Sequence, residues 1–232
     1  MSHRFDRLEM LTGKEGIKKL NNSNVIIFGI GGVGSYIAES LVRSAIGNIT
    51  IVDYDEIVES NINRQIHATE KTIGLIKVDV MKERMSNINP NCNILSIKSL
   101  LKDNVNTFFE NKTYDFAIDA IDTVNSKIEL IKYCNINNIN LISSMGFANK
   151  MNPERIKITD INKTSVCPLA KKIRKSLREI GINKLTVAYS DEPPIKLIES
   201  NIKNPLGSNA FVPGTAGLII SSYIIRKLLE EL

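Results

Sequence analysis

The chain of 232 residues has three cysteines, Cys92, Cys134 and Cys167, and no C-x-x-C pair. A four-cysteine zinc site cannot be assembled from them, so no structural zinc is expected. An odd count without pairing suits a reducing compartment, which makes the cytoplasm the expected location. There is also no low-complexity tract, internal repeat or clean linker. The chain is therefore read as a single domain over residues 1–232, with a nucleotide-binding half at 1–145 and an elaborated extension at 146–232. The segment Met1-Ser2-His3-Arg4-Phe5-Asp6-Arg7 is too charged for a signal peptide. Residues 204–225 carry no formal charge, which raises the question of a membrane. That stretch contains Asn209, Pro213, three glycines and several hydroxyl residues, so a buried helix from near Pro213 is expected. Peripheral membrane contact by the C-terminal helix is the lesser alternative. Neither sign of charge dominates, with 30 Lys and Arg against 25 Asp and Glu: the net charge is +5 and the isoelectric point 9.0. That balance permits an anionic partner without requiring one.

What is present is an alternation of short apolar strands and helices. Val25–Phe28, Ile49–Asp53, Ile94–Ile97, Phe116–Ile121 and Leu141–Ser144 read as strands. Residues 5–20, Gly34–Ser44, 71–88, Val105–Asn111 and Ser126–Asn137 read as helices between them, the third stopped by Asn89-Pro90. Continuous apolar strands alternating with helices predict an α/β fold with a Rossmann-like parallel sheet covered on both faces. After Gly146 the pattern changes. Ile156–Asp160 and Leu185–Tyr189 read as strands around a basic helix, Leu169–Glu179; residues 191–205 read as a loop, and Thr215–Leu229 as the last helix.

Two loops carry the chemistry. Gly29, Gly31 and Gly34 fit G-x-G-x-x-G directly after a strand, and Gly32 thins the loop further. Such glycines permit a tight turn, close approach of backbone to phosphate, and close helix packing, while the following helix N-terminus favours anions. Asp53 ends the second strand nineteen residues beyond Gly34, where a carboxylate can accept ribose hydroxyls. Alone, this pattern is read as NAD(H) binding or as a merely tight turn. Arg64 and Lys77 shift the reading, because a triphosphate with charge developing at its α-phosphorus needs cations that a dinucleotide does not. Asp122 stands at a strand's carboxyl end, where a carboxylate can hold Mg²⁺ against phosphates. Each has a bland alternative: Lys77 as a solvated lysine, Asp119 or Asp122 as a helix cap.

Together G-I-G-G-V-G, D-x-D, S-N-I-N-R-Q, the helix lysine and D-A-I-D resemble the E1-like, ubiquitin-activating superfamily of adenylating enzymes. Further strings resemble its tRNA threonylcarbamoyladenosine dehydratase group. They are Arg4–Arg7, Asn61–Ala68, Asp119–Asp122, Thr164–Ala170, Tyr189–Pro194 and Gly207–Pro213. The resemblance implies an ATP- and Mg²⁺-dependent homodimer that adenylates the carboxylate of N6-threonylcarbamoyladenosine in tRNA and closes a ring with net loss of water. It assigns Gly29, Gly31, Gly32 and Gly34 to phosphate and Asp53 to ribose. Asp55, Asn63 and Gln65 go with them to the nucleotide, Asn61, Arg64 and Lys77 to the triphosphate, and Asp122 to Mg²⁺. It makes Arg7 an arginine inserted into the neighbouring subunit's site, and it turns residues 146–232 toward substrate and dimer. No DNA is expected as a partner.

The alternative from the same superfamily is an adenylyltransferase for a ubiquitin-like sulfur carrier. Those enzymes commonly carry two C-x-x-C pairs, and this chain has none. A non-catalytic nucleotide-sensing module and an NAD-dependent oxidoreductase complete the alternatives. Cys167 stays open between a thiol that accepts an acyl group or sulfur, with a sulfur-transfer partner, and a small residue at a turn before Pro168. On the basic helix, Lys171, Arg174, Lys175 and Arg178 recur at i, i+3, i+4 and i+7, one face that is either a tRNA contact or merely solvated.

Overall fold

The structure, a computed structural model, describes residues 4–102, 104–196 and 206–230. The first apolar run forms the central strand. β1 (Asn24–Phe28) lies parallel to β2 (Asn48–Asp53) on one side and to β4 (Phe116–Asp119) on the other. β3 (Asn93–Lys98) extends the sheet beyond β2. β5 (Leu141–Ser144), β7 (Thr186–Ser190) and β6 (Ile156–Asp160) extend it beyond β4, giving the order β3-β2-β1-β4-β5-β7-β6. All neighbours are parallel except β6, which pairs antiparallel with β7 at the edge. The strands of the extension thus join the same sheet.

Strand alternation divides the core. Val25 and Ile27 face a layer made by α1 (Asp6–Asn22), α2 (Gly34–Arg43), α3 (Lys77–Ile88) and α6 (Phe211–Leu229). Ile26 and Phe28 face α4 (Val124–Ile136) and the 3-10 turn Val105–Phe108. Phe28 packs edge-on against Phe108 at a centroid distance of 5.4 Å. Burying one such ring contributes about 1.5–3 kcal/mol. α5 (Pro168–Glu179) covers the far end of this second face, against α4 and β7.

The uncharged C-terminal stretch is explained by contact between helices. A Cβ on Gly217 of α6 would lie 2.7 Å from the Val33 carbonyl oxygen and 2.8 Å from Tyr36 Cβ. Glycine there lets α6 lie directly on α2, where Ala216, Ile220 and Ile224 are buried. No helix among the described residues is long and apolar enough to cross a membrane.

Several boundaries differ from expectation. The helix expected over 71–88 starts at Lys77, because Glu70–Thr72 form a 3-10 turn and Gly74 (φ +82°) reverses the chain. β4 ends at Asp119, two residues early, where the chain turns past Phe28. Residues 105–108 form only a 3-10 turn, and α6 begins at Phe211 with Pro213 in its first turn. Of the expected loop 191–205, residues 197–205 lie outside the described residues; 191–196 form neither helix nor strand.

From β1 the chain runs outward through β2 to β3, then returns to β4 on the other side. The carboxyl ends of β1 and β4 therefore flank the point where connections diverge, the place where an open α/β sheet takes its ligand.

Candidate active site

The turn after β1 is built for backbone, with no room for side chains at its ends. Gly29 has φ +89°, and a Cβ on it would sit 2.6 Å from the Ala120 carbonyl oxygen. A Cβ on Gly34 would overlap the Gly29 carbonyl oxygen at 1.8 Å, so the turn closes on itself. Between them Gly31 has only Gln65 Nε2 within 4 Å, at 3.9 Å, which leaves that side open. Gly32 packs near Pro213 of α6 and the Arg64 stem, at 3.3 and 3.4 Å. α2 begins here without a side-chain cap; the Gly31 carbonyl takes Ser35 N–H at 3.0 Å, and a helix start of this kind can offer its remaining N–H groups to an anion.

Carboxylates gather beside this turn. Asp53 accepts from Ile30 N–H through Oδ2 at 2.6 Å and from Asp55 N–H through Oδ1 at 2.9 Å, tying the end of β2 to the glycine turn. Each oxygen keeps a further acceptor position for a ligand hydroxyl. Asp122 is exposed and, among the described residues, accepts from Thr123 Oγ1 at 3.3 Å. Tyr54 sits in the field of this group: the charge of Asp55, then burial, then Asp122 and Asp53 hold its phenol above the ordinary value. Asp53 and Asp55 are joined by a hydrogen bond at the end of β2, and Asp122 follows β4, the other neighbour of β1.

The cations approach from two sides. Lys77 opens α3 with its side chain 6% exposed, and its ammonium lies 2.6 Å from Asp55 Oδ2, whose side chain is 42% exposed. Arg64 holds its own loop through Nη1 to the Ser60 carbonyl (2.6 Å) and Asn63 Oδ1 (2.9 Å). Asn61 is buried and accepts from Val58 N–H at 3.2 Å, which makes it a brace for the loop in this structure. Asn63 donates to the Ser208 carbonyl at 3.1 Å and couples that loop to the approach to α6. Gln65 is buried with Oε1 unpartnered, beside Gly31.

Other expected residues lie elsewhere. Arg7 is exposed on the first turn of α1, whose neighbour Arg4 donates to the Ile88 carbonyl at the far end of α3. That is the opposite edge of the sheet, so Arg7 does not face the glycine turn of its own chain. Cys167 is buried as the N-cap of α5, its Sγ accepting from Ala170 N–H at 3.5 Å. On α5, Lys171, Lys175 and Arg178 are exposed, but Arg174 is committed inward. Its Nη1 donates to Thr164 Oγ1 (2.5 Å) and to the carbonyls of Ile161 and Thr164 (3.1 and 3.2 Å). Periodicity put Arg174 on the charged face, whereas three acceptors on the preceding loop draw it out of solvent.

Three residues escaped the sequence reading. Lys127 pairs with Asp119 in the protein interior, so Asp119 is no helix cap. Lys150 is buried, with its ammonium donating to the Glu192 carbonyl; burial lowers its pKa against the opposing carboxylates of Glu192 and Asp191. His67 is buried with neither ring nitrogen partnered, and burial, then Lys77 and Arg84, push it down to about 4. No motif marks Lys127 or Lys150, and the Asn61–Ala68 string contains His67 without giving it a role.

Residues 5–231 match the ThiF family. The chain belongs to the ThiF family. Three of its relatives match over nearly the full length of both chains. The tRNA threonylcarbamoyladenosine dehydratase of Bacillus subtilis (strain 168) is 44% identical, over 100% of this chain and 97% of that protein. The Escherichia coli (strain K12) protein of the same name is 39% identical, over 98% and 94%. Among solved structures, the ATP complex of E. coli tRNA N6-threonylcarbamoyladenosine dehydratase, TcdA, superposes with a TM-score of 0.90 at 33% identity, over 98% of this chain and 94% of that one. The ThiF-family chain thus shares its fold with a protein crystallised with ATP.

Proposed function

We propose that this protein is an ATP-dependent tRNA threonylcarbamoyladenosine dehydratase, which activates the carboxylate of the modified adenosine by adenylation and promotes its cyclisation with net loss of water. The observation that carries the reading is full-length likeness. Three relatives matching at least 98% of the chain at 35–44% identity bear that name. A sulfur-carrier adenylyltransferase is the weaker reading, since relatives of that name match 50–60% of the chain.

The geometry suits the chemistry. A carboxylate is a poor electrophile, and transfer of AMP onto it with release of pyrophosphate supplies a leaving group. The protein must then position the two reactants and stabilise charge at the α-phosphate. Gly31 and the N–H groups of α2 hold phosphate, Asp53 takes the ribose, and Arg64 and Lys77 neutralise the triphosphate. Lys77 can exchange its half-exposed Asp55 partner for a phosphate oxygen without entering water. Asn61, Asn63 and Gln65 shape the loop that carries Arg64. Ring closure then brings together groups of one nucleoside and needs no protein nucleophile, in keeping with Cys167 acting as a cap.

Asp122 is the residue that would hold Mg²⁺. No cluster of three or more metal-ligating side chains occurs among the described residues. One free carboxylate fits this ion, which keeps several waters and takes its other ligands from phosphates. Bound there, Mg²⁺ would neutralise developing charge on the phosphates.

A homodimer in the cytoplasm is part of the proposal, with Arg7 of each subunit serving its neighbour's cleft. Exposed Met10 and Leu11 on the same helix supply apolar surface for that contact. For tRNA, the outer side of α5 offers Lys171, Lys175 and Arg178, with Arg174 withdrawn. Incubation with threonylcarbamoylated tRNA and ATP, followed by nucleoside mass spectrometry, tests the reading. The expected product is lighter by one water; an unchanged nucleoside together with adenylation of a carrier protein would replace the dehydratase by the alternative.

A further inference from the structure

The exits of β4 and β5 are locked together by a closed set of charges. The side chains of Asp119 and Lys127 are both 0% exposed. Lys127 Nζ lies 2.9 Å from each oxygen of Asp119, 2.8 Å from the Ser144 carbonyl oxygen and 3.4 Å from Ser143 Oγ. Asp119 also accepts from Ile121 N–H at 3.1 Å and from Ser143 Oγ at 2.5 Å. Each carboxylate oxygen has two donors and the ammonium has its three directions filled. Nothing in this set is left over for a ligand.

Its position is informative. Asp119 ends β4 and Lys127 lies in the first turns of α4, so the pair closes the short segment between them. That segment carries Asp122 at its exposed tip. Its inner side touches the glycine turn, where the Ala120 carbonyl lies against Gly29 and Ala120 Cβ against Gly34. The Ser144 carbonyl adds the start of the segment leading to Lys150. A buried ion pair is a poor way to gain stability, because desolvation offsets the attraction and apolar residues of similar volume do as well or better. What it supplies here is fixed geometry among three strand exits.

We propose that Asp119 and Lys127 are positioning residues for adenylation: their pair sets the Asp122 segment against the glycine turn at the separation the reaction needs. This rests on the dehydratase reading above.

The test is the double variant Asp119→Leu/Lys127→Met, which removes both charges at similar volume. It is assayed with threonylcarbamoylated tRNA, ATP and Mg²⁺ by pyrophosphate exchange and nucleoside mass spectrometry. The expected result is a melting temperature at or above wild type with kcat for exchange down about 100-fold. Added to Asp122→Asn, the double change should slow the enzyme by less than about threefold more, since both disturb one element. A stable double variant with wild-type kcat, or a loss that multiplies in full with Asp122→Asn, overturns the proposal. Should the double variant fail to fold, Ser143→Ala decides. It is expected to cost about tenfold in kcat with the same non-additivity, and an unchanged kcat again overturns the proposal. Wild type separates the two readings. Exchange without change in the tRNA removes the substrate assignment and leaves the pair to be judged on exchange. A wild type that does neither overturns both.

Discussion

Lys77 and Lys127 stand in the first turns of two helices at the carboxyl edge of one sheet, α3 following β2 and α4 following β4. Both are buried, yet their surroundings are opposite. Lys77 has one carboxylate partner, Asp55, which reaches the surface at 42% exposure; Lys127 is enclosed with Asp119 and two acceptors from β5. An ion pair with one member in water can be remade with a phosphate at small cost, because the displaced carboxylate is simply hydrated. An enclosed pair has no such exchange open to it, since separating it strands a charge in the interior. The first region is therefore suited to meeting a ligand and the second to holding geometry.

Stability should separate them most. Lys127→Met leaves Asp119 buried and unpaired and is expected to cost about 3–5 kcal/mol in urea unfolding. Lys77→Met frees Asp55 into water and should cost about 1 kcal/mol or less. Equal costs would break the comparison. Activity should sort the other way once folding is matched. Lys77→Met and Arg64→Ala are each expected to lower ATP-dependent pyrophosphate exchange about 10²–10³-fold with the melting temperature nearly kept.

His67 sharpens the comparison from the Lys77 side, because Lys77 and Arg84 add to the burial that holds it neutral. Its folded value of about 4 lies below the ordinary 6.5, so the unfolded chain binds more protons between those limits. Its contribution is complete above pH 6.5, declines as pH falls toward 4 and is absent below, a change of up to about 3 kcal/mol. His67→Gln should flatten that part of the stability profile measured by urea unfolding; an unaltered slope would mean that other groups carry it. The smallest effect is expected at Cys167. Serine keeps an N-cap acceptor of similar size without burying a charge, so Cys167→Ser should change thermal stability by less than about 1 kcal/mol with ring closure retained. Ring closure lost with pyrophosphate exchange intact would return the thiol to the chemistry.

Much of the nucleotide side was legible in the chain. Glycines at the two ends of one turn, an acid ending the next strand and alternating apolar runs are local patterns, and Gly29, Gly34 and Asp53 stand where those patterns put them. The ends of β4 and β5 and the extension beyond them were less legible because their contacts are distant in sequence. Lys127 meets Ser144, Lys150 meets Glu192, and Arg174 meets Ile161 and Thr164. On a helical wheel Arg174 is indistinguishable from Lys171; only the loop folded beneath it decides that its guanidinium turns inward. The start of α3 was misplaced for a similar reason. Residues 71–76 look helical in composition, but Gly74 turns back to hydrogen-bond the Ile57 carbonyl at 2.8 Å.

By itself the sequence determined the strands, the helices and the glycine turn, since side-chain period and backbone freedom act over a few neighbouring residues. It also determined the family, through motifs that are contiguous. The tertiary structure alone decided which lysine is sealed and which can change partners. Whether a charge is solvated depends on what the rest of the chain lays over it, and that is a property of the assembled sheet.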